Sequence, residues 1–177
     1  MAGQGKKTKI VLDADVIIHF VKGGKLDILP RILPEFRFIV LDVVKRELPM
    51  LILPSLREAI TRDGTISEEV FGKTPGEARE FARLISKDGL SLGRGESACM
   101  VYCLYHHDVV GSSNTKDVTA YCREKGITYL TTCDFLYYAI RRGLMTKAEA
   151  DAFISKVRSM GSFPPIVDFD TYVCTKI

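Results

Sequence analysis

The sequence lacks any long apolar run. None of its hydrophobic stretches approaches the length needed to cross a membrane, and the polar residues 1–8 contain no apolar core of a secretory signal. The five cysteines are an odd number, scattered mostly through apolar helical stretches, as is typical of reduced thiols. We therefore expect a soluble, cytoplasmic protein with no membrane partner.

The chain also has little excess charge and no internal repeat. Its 25 lysines and arginines stand against 22 acidic residues, so the formal net charge of +3 is weak evidence for a polyanionic partner. No low-complexity linker divides the sequence. With 177 residues and 46% apolar content, the chain is expected to form a single domain around one sizeable core.

Short apolar runs alternate with helical patterns, which favours an α/β protein with a parallel sheet. Strands are predicted at 9–12, 38–41, 108–111 and 129–131. Roughly 65 residues separate the second and third of these strands, more than one crossover needs. The sequence thus predicts one domain over 9–160 with a helical insert around 50–90, and a tail over 161–177 in which 166–173 is a candidate edge strand.

Two carboxylates, Asp13 and Asp15, directly follow the first predicted strand. They are expected at the carboxyl edge of the sheet, where open α/β folds build their sites. Because carboxylates in a low-dielectric cleft repel each other, a cation, a shared proton or a cationic side chain must compensate, and a divalent cation is the usual solution. The alternative is that Asp15 caps the next helix while Asp13 is solvated.

Further polar residues follow later elements of the same predicted sheet. Glu47 lies in a helix just after the second strand, and Glu96 opens another helix, where the helix dipole favours the ionised form that a metal requires. Asn114 and Asp117 follow the third strand. Each residue alone is more typical of a solvated or capping position. Their joint placement after successive elements of one sheet predicts a single acidic site.

With these residues in this order, the chain resembles the PIN-domain ribonucleases, a family that includes toxin endoribonucleases and ribosomal RNA processing nucleases. The resemblance spans about 9–143 of the sequence. The motifs that carry it are Leu12-Asp13, Val-x-x-x-Glu-Leu at 43–48, Gly95-Glu96 at the start of an apolar helix, and Gly126-Ile127. Each motif is weak alone, whereas the ordered set is fairly specific.

The resemblance implies a three-layer α/β/α sandwich with a central parallel sheet of about four or five strands, PIN-like in fold. It implies a metal-dependent endoribonuclease, a hydrolase that uses Mg²⁺ or Mn²⁺ to activate water against RNA phosphodiester bonds. The implied partners are RNA, an antitoxin or other protein partner as for toxin-type members, and a second copy of the chain in a homodimer.

Carried over by position, the resemblance assigns catalytic roles to Asp13, Glu47, Glu96 and Asp117. The predicted metal ligands are Asp13, Glu96, Asn114 and Asp117, supported by Asp15, Ser112 and Asp134, the last of which is equally a candidate helix cap. The predicted nucleic-acid contacts are the basic residues Lys45, Arg46, Arg94, Lys116, Arg141 and Arg142.

Two residues depart from the family pattern. Asn114 stands where the family commonly has aspartate, and Asp15 stands where it more often has Asn, Ser or Thr. The loss of a charge at Asn114 motivates an alternative function, a degenerate domain that binds RNA or a protein partner without cleaving.

A phosphatase is a further alternative. Asp13-x-Asp15 also resembles the haloacid-dehalogenase-like phosphatases, in which the first aspartate is the nucleophile and the second a general acid. That family requires a late acidic pair, for which only Asp168 and Asp170 are available. Their position beyond the proline pair of the tail argues against this function.

Overall fold

Five parallel strands form one sheet in the computed structural model, which describes residues 7–177. The strands are β1 (Lys9–Leu12), β2 (Arg37–Leu41), β3 (Ile66–Glu69), β4 (Val109–Gly111) and β5 (Tyr129–Leu130). Their spatial order is β3-β2-β1-β4-β5, with Leu12 paired to Val40 on one side and to Gly111 on the other. From β1 the chain adds β2 and β3 on one side, and then returns to add β4 and β5 on the other.

The helices fill both faces of this sheet. They are α1 (Ala14–Lys22), α2 (Leu29–Ile32), α3 (Asp42–Glu47), α4 (Leu53–Thr61), α5 (Pro75–Ile85), α6 (Arg94–His106), α7 (Thr115–Lys125), α8 (Thr132–Arg141) and α9 (Lys147–Ser159). Helix α6 packs on β1, β2 and β4 and is flanked by α5 and α7, while α8 packs with α2 and α9, and α9 with α1. The predicted three-layer α/β/α sandwich with a central parallel sheet is confirmed.

The central strand β1 is buried on both faces. Ile10, Val11 and Leu12 have no exposed surface, as the uninterrupted apolar run predicts for a strand covered by helices on both sides. On one face, the ring of Phe135 in α8 packs against Phe20 and Phe38, with ring centroids 6.2 Å and 6.1 Å away. This packing fixes β1 rigidly, and with it the two carboxylates that follow.

Two parts of the predicted organisation require correction. The insert predicted as helical contains strand β3, which extends the sheet. Its sequence Ile-Ser-Glu-Glu buries only Ile66 fully, because an edge strand needs no long apolar run, and this concealed it in the sequence. The predicted edge strand at 166–173 does not form; the tail packs through Phe169 and Cys174 without joining the sheet, and prolines 164 and 165 lack the N–H that pairing requires.

The cysteines follow the sequence expectation. All five are buried and free of disulfides, in line with the prediction of reduced thiols. Over residues 7–177, no helix combines the length and apolar character needed to span a bilayer.

Candidate acidic site

An acidic pocket of about 460 Å³ lies where the strand order reverses between β1 and β4. In open α/β sheets this switch point is the crevice in which ligands bind. The side chains that line it with a carboxylate are Asp13, Asp15, Glu47, Glu96 and Asp117, joined by Asn114. Among the lining residues in the described part of the chain there is no lysine, arginine or histidine. The structure therefore brings together every residue predicted as catalytic or metal-binding.

Asp13 directly follows β1 and is the N-cap of α1. Its side chain is 6% exposed; Oδ1 accepts the backbone N–H of Ala14 at 2.8 Å, and Oδ2 accepts the hydroxyl of Ser112 at 3.0 Å. The backbone N–H of Asp13 donates to the carbonyl oxygen of Gly111 at 2.8 Å, which ties the residue to β4. Burial, followed by the charge of Asp15, raises the pKa of Asp13 to about 7. The carboxylate is thus held rigidly and is costly to ionise.

Asp15 is the second residue of α1, and the alternative that it caps this helix is wrong, because Asp13 is the N-cap. Its Oδ1 accepts the N–H of Val16 at 2.6 Å, and its Oδ2 accepts the N–H of Ser113 at 2.8 Å, across the crevice. Burial raises the pKa of Asp15 to about 6, with a further contribution from the charge of Glu96, although the backbone hydrogen bonds oppose the shift. Asp15 therefore joins the two walls of the pocket, one from β1 and one from β4.

Glu47, the last residue of α3, reaches the pocket from the opposite wall. Its Oε2 accepts the backbone N–H of Gly95 at 3.1 Å. A Cβ at Gly95 would overlap that oxygen and would lie 3.5 Å from Asp13 Oδ1. Glycine at position 95 therefore permits this approach, because a larger residue would force the Glu47 side chain to move.

Glu96 is linked to Asn114 and Asp117 by one amide group. Its Oε2 accepts Asn114 Nδ2–H at 2.7 Å, and the same Nδ2 lies 3.2 Å from Asp117 Oδ2. Glu96 Oε1 also accepts the N–H of Gly93 at 3.3 Å. Burial, and then the charges of Asp13 and Asp117, raise the pKa of Glu96 to about 7. Asn114 therefore presents its nitrogen to the acids, whereas the predicted ligand role would use its oxygen.

The donor chemistry of the pocket fits a hard divalent cation, because carboxylate and amide oxygens are the ligands that Mg²⁺ and Mn²⁺ prefer. The side chains are nevertheless engaged with protein donors. Across residues 7–177, no group of three or more His, Cys, Asp or Glu side chains is arranged to hold a metal ion. Glu47 would have to leave Gly95, and Asn114 would have to turn, for the full donor set to converge.

Three polar residues beside the pocket escaped the sequence analysis. Ser113 Oγ lies 2.8 Å from Thr132 Oγ1 and accepts the N–H of Thr132 at 2.8 Å. Thr132 Oγ1 lies 2.8 Å from Nδ1 of the buried His19. The one signal in the sequence is the spacing of Asp15 and His19, four residues apart and hence on one face of α1.

Asp134 occupies a different environment. It is fully buried at the start of α8 and forms a capping box with Thr131. Its oxygens accept hydrogen bonds from Lys176 Nζ at 2.7 Å and from the hydroxyl of Tyr172 at 2.6 Å. Burial acts to raise its pKa, but the hydrogen bonds from Lys176, Thr131 and Tyr172 outweigh it and lower the pKa. Asp134 caps α8 and is not among the residues that line the pocket.

The predicted nucleic-acid contacts fall into two groups. Lys45 and Arg46 precede Glu47 on α3, Arg94 lies between two lining glycines, and the exposed Lys116 precedes Asp117. Arg141 and Arg142 end α8, which begins at the pocket edge of the sheet and carries them about 15 Å away. The first group therefore adjoins the pocket, whereas the structure does not bring the second group to it.

Internal pairing occupies part of the first group. Lys45 pairs with Glu68 at 2.5 Å, Arg46 pairs with Asp42, and Arg94 stacks 5.4 Å from the ring centroid of Phe81. Exposed pairs of this kind are weak and exchange readily. The late acidic pair required of a phosphatase is absent from the pocket lining: Asp168 and Asp170 lie in the tail, and Asp170 pairs with Lys147.

No protein-family model and no curated protein matches the chain. Among solved structures, a PilT N-terminus (PIN) domain protein from the hyperthermophilic archaeon Sulfolobus solfataricus P2 is similar, with a TM-score of 0.42 and 11% identity. The similarity covers 72% of this chain and 89% of that one. At this identity and TM-score it carries no functional information of its own.

Proposed function

We propose that this protein is a metal-dependent endoribonuclease whose acidic pocket binds Mg²⁺ or Mn²⁺ and hydrolyses RNA phosphodiester bonds. One observation carries the proposal: five carboxylates from four separate segments line one pocket at the switch point of the sheet, with no cationic side chain among the described lining residues. Ionised acids confined in such a site require compensation, and a divalent cation is the compensation that their oxygens favour.

The acids of the pocket serve in this proposal as ligands or as supports, and Asp15 belongs to the supports. Asp13, Glu96 and Asp117 would hold the cation, with Glu47 as a further ligand or orienting acid and Asn114 contributing its oxygen after it turns. Bound in the pocket, the cation would supply activation of water and neutralisation of the scissile phosphate. The chain itself supplies orientation: Ser112 and the N–H of Ala14 fix both oxygens of Asp13. Lys45, Arg46, Arg94 and Lys116 adjoin the pocket where an RNA backbone would pass.

A second candidate function is a domain that binds RNA or a protein partner without cleaving. It is favoured by the amide at Asn114 and by the lack, in the described chain, of three acids already arranged for a cation. An antitoxin or other protein partner and a homodimer remain predictions under either function.

The largest effect expected of any single substitution is on cleavage. Wild-type protein should cleave single-stranded RNA with Mn²⁺ or Mg²⁺ and lose this activity in EDTA. Asp13→Asn should reduce the rate by at least about 100-fold, since it removes a charged oxygen ligand from the cation. Asp151→Asn, an exposed acid of α9, is the matched control and should cleave normally.

Gel-based cleavage rates with identical protein and RNA concentrations decide the matter. If Asp13→Asn cleaves RNA at the wild-type rate, the assignment of Asp13 as a cation ligand is wrong. RNA binding without cleavage by wild type, in either metal, would establish the second candidate function instead.

A further inference from the structure

A closed ring of hydrogen bonds joins three segments of the chain beside the acidic pocket. It runs from the carboxylate of Asp15 to the N–H of Ser113 at 2.8 Å, and from Ser113 Oγ to Thr132 at 2.8 Å. Thr132 Oγ1 then meets His19 Nδ1, also at 2.8 Å. His19 and Asp15 lie one turn apart on α1, so the helix itself closes the ring.

The donors and acceptors of this ring have one consistent direction. The N–H of Thr132 donates to Ser113 Oγ, and the Ser113 hydroxyl donates to Thr132 Oγ1. The Thr132 hydroxyl is then free to donate to Nδ1 of His19, which must be unprotonated at that nitrogen. Burial lowers the pKa of His19 to about 4, so the imidazole is neutral near pH 7 and accepts this bond.

The ring restricts the orientation of the backbone N–H of Ser113. His19 and Thr132 are buried, and Ser113 Oγ is engaged with Thr132 through two contacts. The β4–α7 connection is therefore fastened at Ser113 to the start of α8. The backbone N–H of Ser113 donates to Asp15 Oδ2. Restricting the β4–α7 connection therefore also restricts the position of the Asp15 carboxylate in the pocket.

We propose that His19 and Thr132 are positioning residues for Asp15, which act through Ser113 to hold this carboxylate in the acidic pocket and so set the affinity of the pocket for a divalent cation. The cation part of this inference rests on the proposed function. Neither His19 nor Thr132 lines the pocket, so their effect on it is indirect.

The test compares Thr132→Val, which removes the hydroxyl while keeping the shape, with Thr132→Ser, which restores a hydroxyl. Ser97→Ala is the matched control, since Ser97 is fully buried on α6 and its hydroxyl has no hydrogen-bond partner among residues 7–177. Amide hydrogen exchange in metal-free protein reports the Ser113 to Asp15 bond, with Val11 of β1 as the reference for global opening. Calorimetry then measures Mn²⁺ affinity.

In Thr132→Val, exchange at Ser113 should accelerate by about 3- to 10-fold more than at Val11, the range that one net hydrogen bond contributes. Mn²⁺ affinity should fall by a similar factor, and Thr132→Ser should recover most of both. Ser97→Ala should leave both at the wild-type values. His19→Leu should repeat the Thr132→Val result, because it removes the acceptor at the other end of the same contact.

Two outcomes overturn the inference. If Ser113 and Val11 accelerate equally in Thr132→Val, the ring has only a general structural role. If Ser113 accelerates selectively while Mn²⁺ binds as tightly as in wild type, Asp15 does not depend on the ring for binding. A wild-type protein that binds no Mn²⁺ would overturn the proposed function and the cation part of this inference; Ser113 exchange would then decide the positioning of Asp15 alone.

Discussion

Two buried aspartates have opposite environments: Asp13 directly follows strand β1, and Asp134 lies in the first turn of α8, which follows strand β5. Asp134 accepts hydrogen bonds from Lys176 and Tyr172 and caps α8. Asp13 has Ser112 and a backbone N–H for partners, and its charged neighbours Asp15 and Glu47 are acids. Both aspartates are buried, but within residues 7–177 the protein supplies a compensating positive charge only to Asp134.

The comparison separates an acid whose charge the fold compensates from an acid whose charge the fold leaves uncompensated. The pKa of Asp134 is lowered despite burial, whereas the pKa of Asp13 is raised by burial and by its neighbours. An ion-paired carboxylate adds to stability at neutral pH, while an uncompensated one subtracts from it. Under the proposed function, the acidic pocket is a place where the chain gives up stability for binding.

Added metal should sharpen this contrast most. Under the proposed function Mn²⁺ binds the folded pocket and hardly binds the unfolded chain, so it should stabilise the protein by about 2.7 kcal/mol at one hundred times its dissociation constant. Glu96→Gln should reduce this gain, because it replaces a charged oxygen ligand with an amide. Thermal scans with and without Mn²⁺ measure the effect, with Asp151→Asn as the control. No metal response in wild type would favour the domain that binds without cleaving.

The second expectation concerns Asp134, whose loss should affect the fold and not the pocket. Asp134→Asn should lower the free energy of unfolding by about 2 kcal/mol, since hydrogen bonds to a buried charge are lost and Lys176 loses its partner. Urea unfolding measures this loss, and calorimetry should show Mn²⁺ affinity unchanged. Weakened Mn²⁺ binding in the folded variant would make Asp134 a support of the pocket after all.

The sequence revealed most of this arrangement because the signals were local. The strand predicted at 9–12 has the observed bounds of β1, and the one predicted at 38–41 starts one residue inside β2, since short uninterrupted apolar runs mark buried strands. The candidate acids meet in one pocket because parallel strands deliver their carboxyl ends to one edge. That prediction needed only the order of strands and the residue after each.

What the sequence concealed depends on contacts between distant segments. Lys176 lies 42 residues from its partner Asp134, and Thr132 lies 113 residues from His19. No periodicity relates such residues, so only the packed fold reveals the pairs. For the same reason Asp134 could be read equally as a cap or as a support of the pocket until the position of the tail was known.

A third expectation follows from the opposite pKa shifts. The folded pKa of Asp13, about 7, lies above its unfolded value of 3.8, so the folded state binds the extra proton and stability falls as pH rises between these values. His19 acts in the other direction, because its folded pKa of about 4 lies below 6.5. The difference between Asp13→Asn and wild type removes the His19 contribution and retains that of Asp13, together with its effect on Glu96.

In metal-free protein, Asp13→Asn should therefore gain stability relative to wild type as pH rises from 5 to 8, by about 1 to 2 kcal/mol. Urea unfolding at several pH values provides the measurement. A stability difference that stays constant with pH would mean that Asp13 ionises in the folded state as easily as in the unfolded chain.

The smallest expected effect concerns the side-chain amide of Asn114, which donates to acids of the pocket where a cation would otherwise compensate them. Asn114 donates to Glu96 and Asp117 as Lys176 donates to Asp134, but with a dipole instead of a charge. Asn114→Asp should cost about 1 kcal/mol in metal-free protein, since it removes these bonds and adds a like charge. With Mn²⁺ present the extra carboxylate should tighten binding, so the variant loses stability without metal and gains affinity with it.

If Asp117 already supplies the needed charge, Asp117→Asn will instead weaken Mn²⁺ binding as severely as Asp13→Asn. The double variant will then show coupling between the two positions, because both face one ion. Calorimetric affinities that are unchanged in all three variants would exclude both residues from the cation site and leave the pocket to Asp13, Glu47 and Glu96.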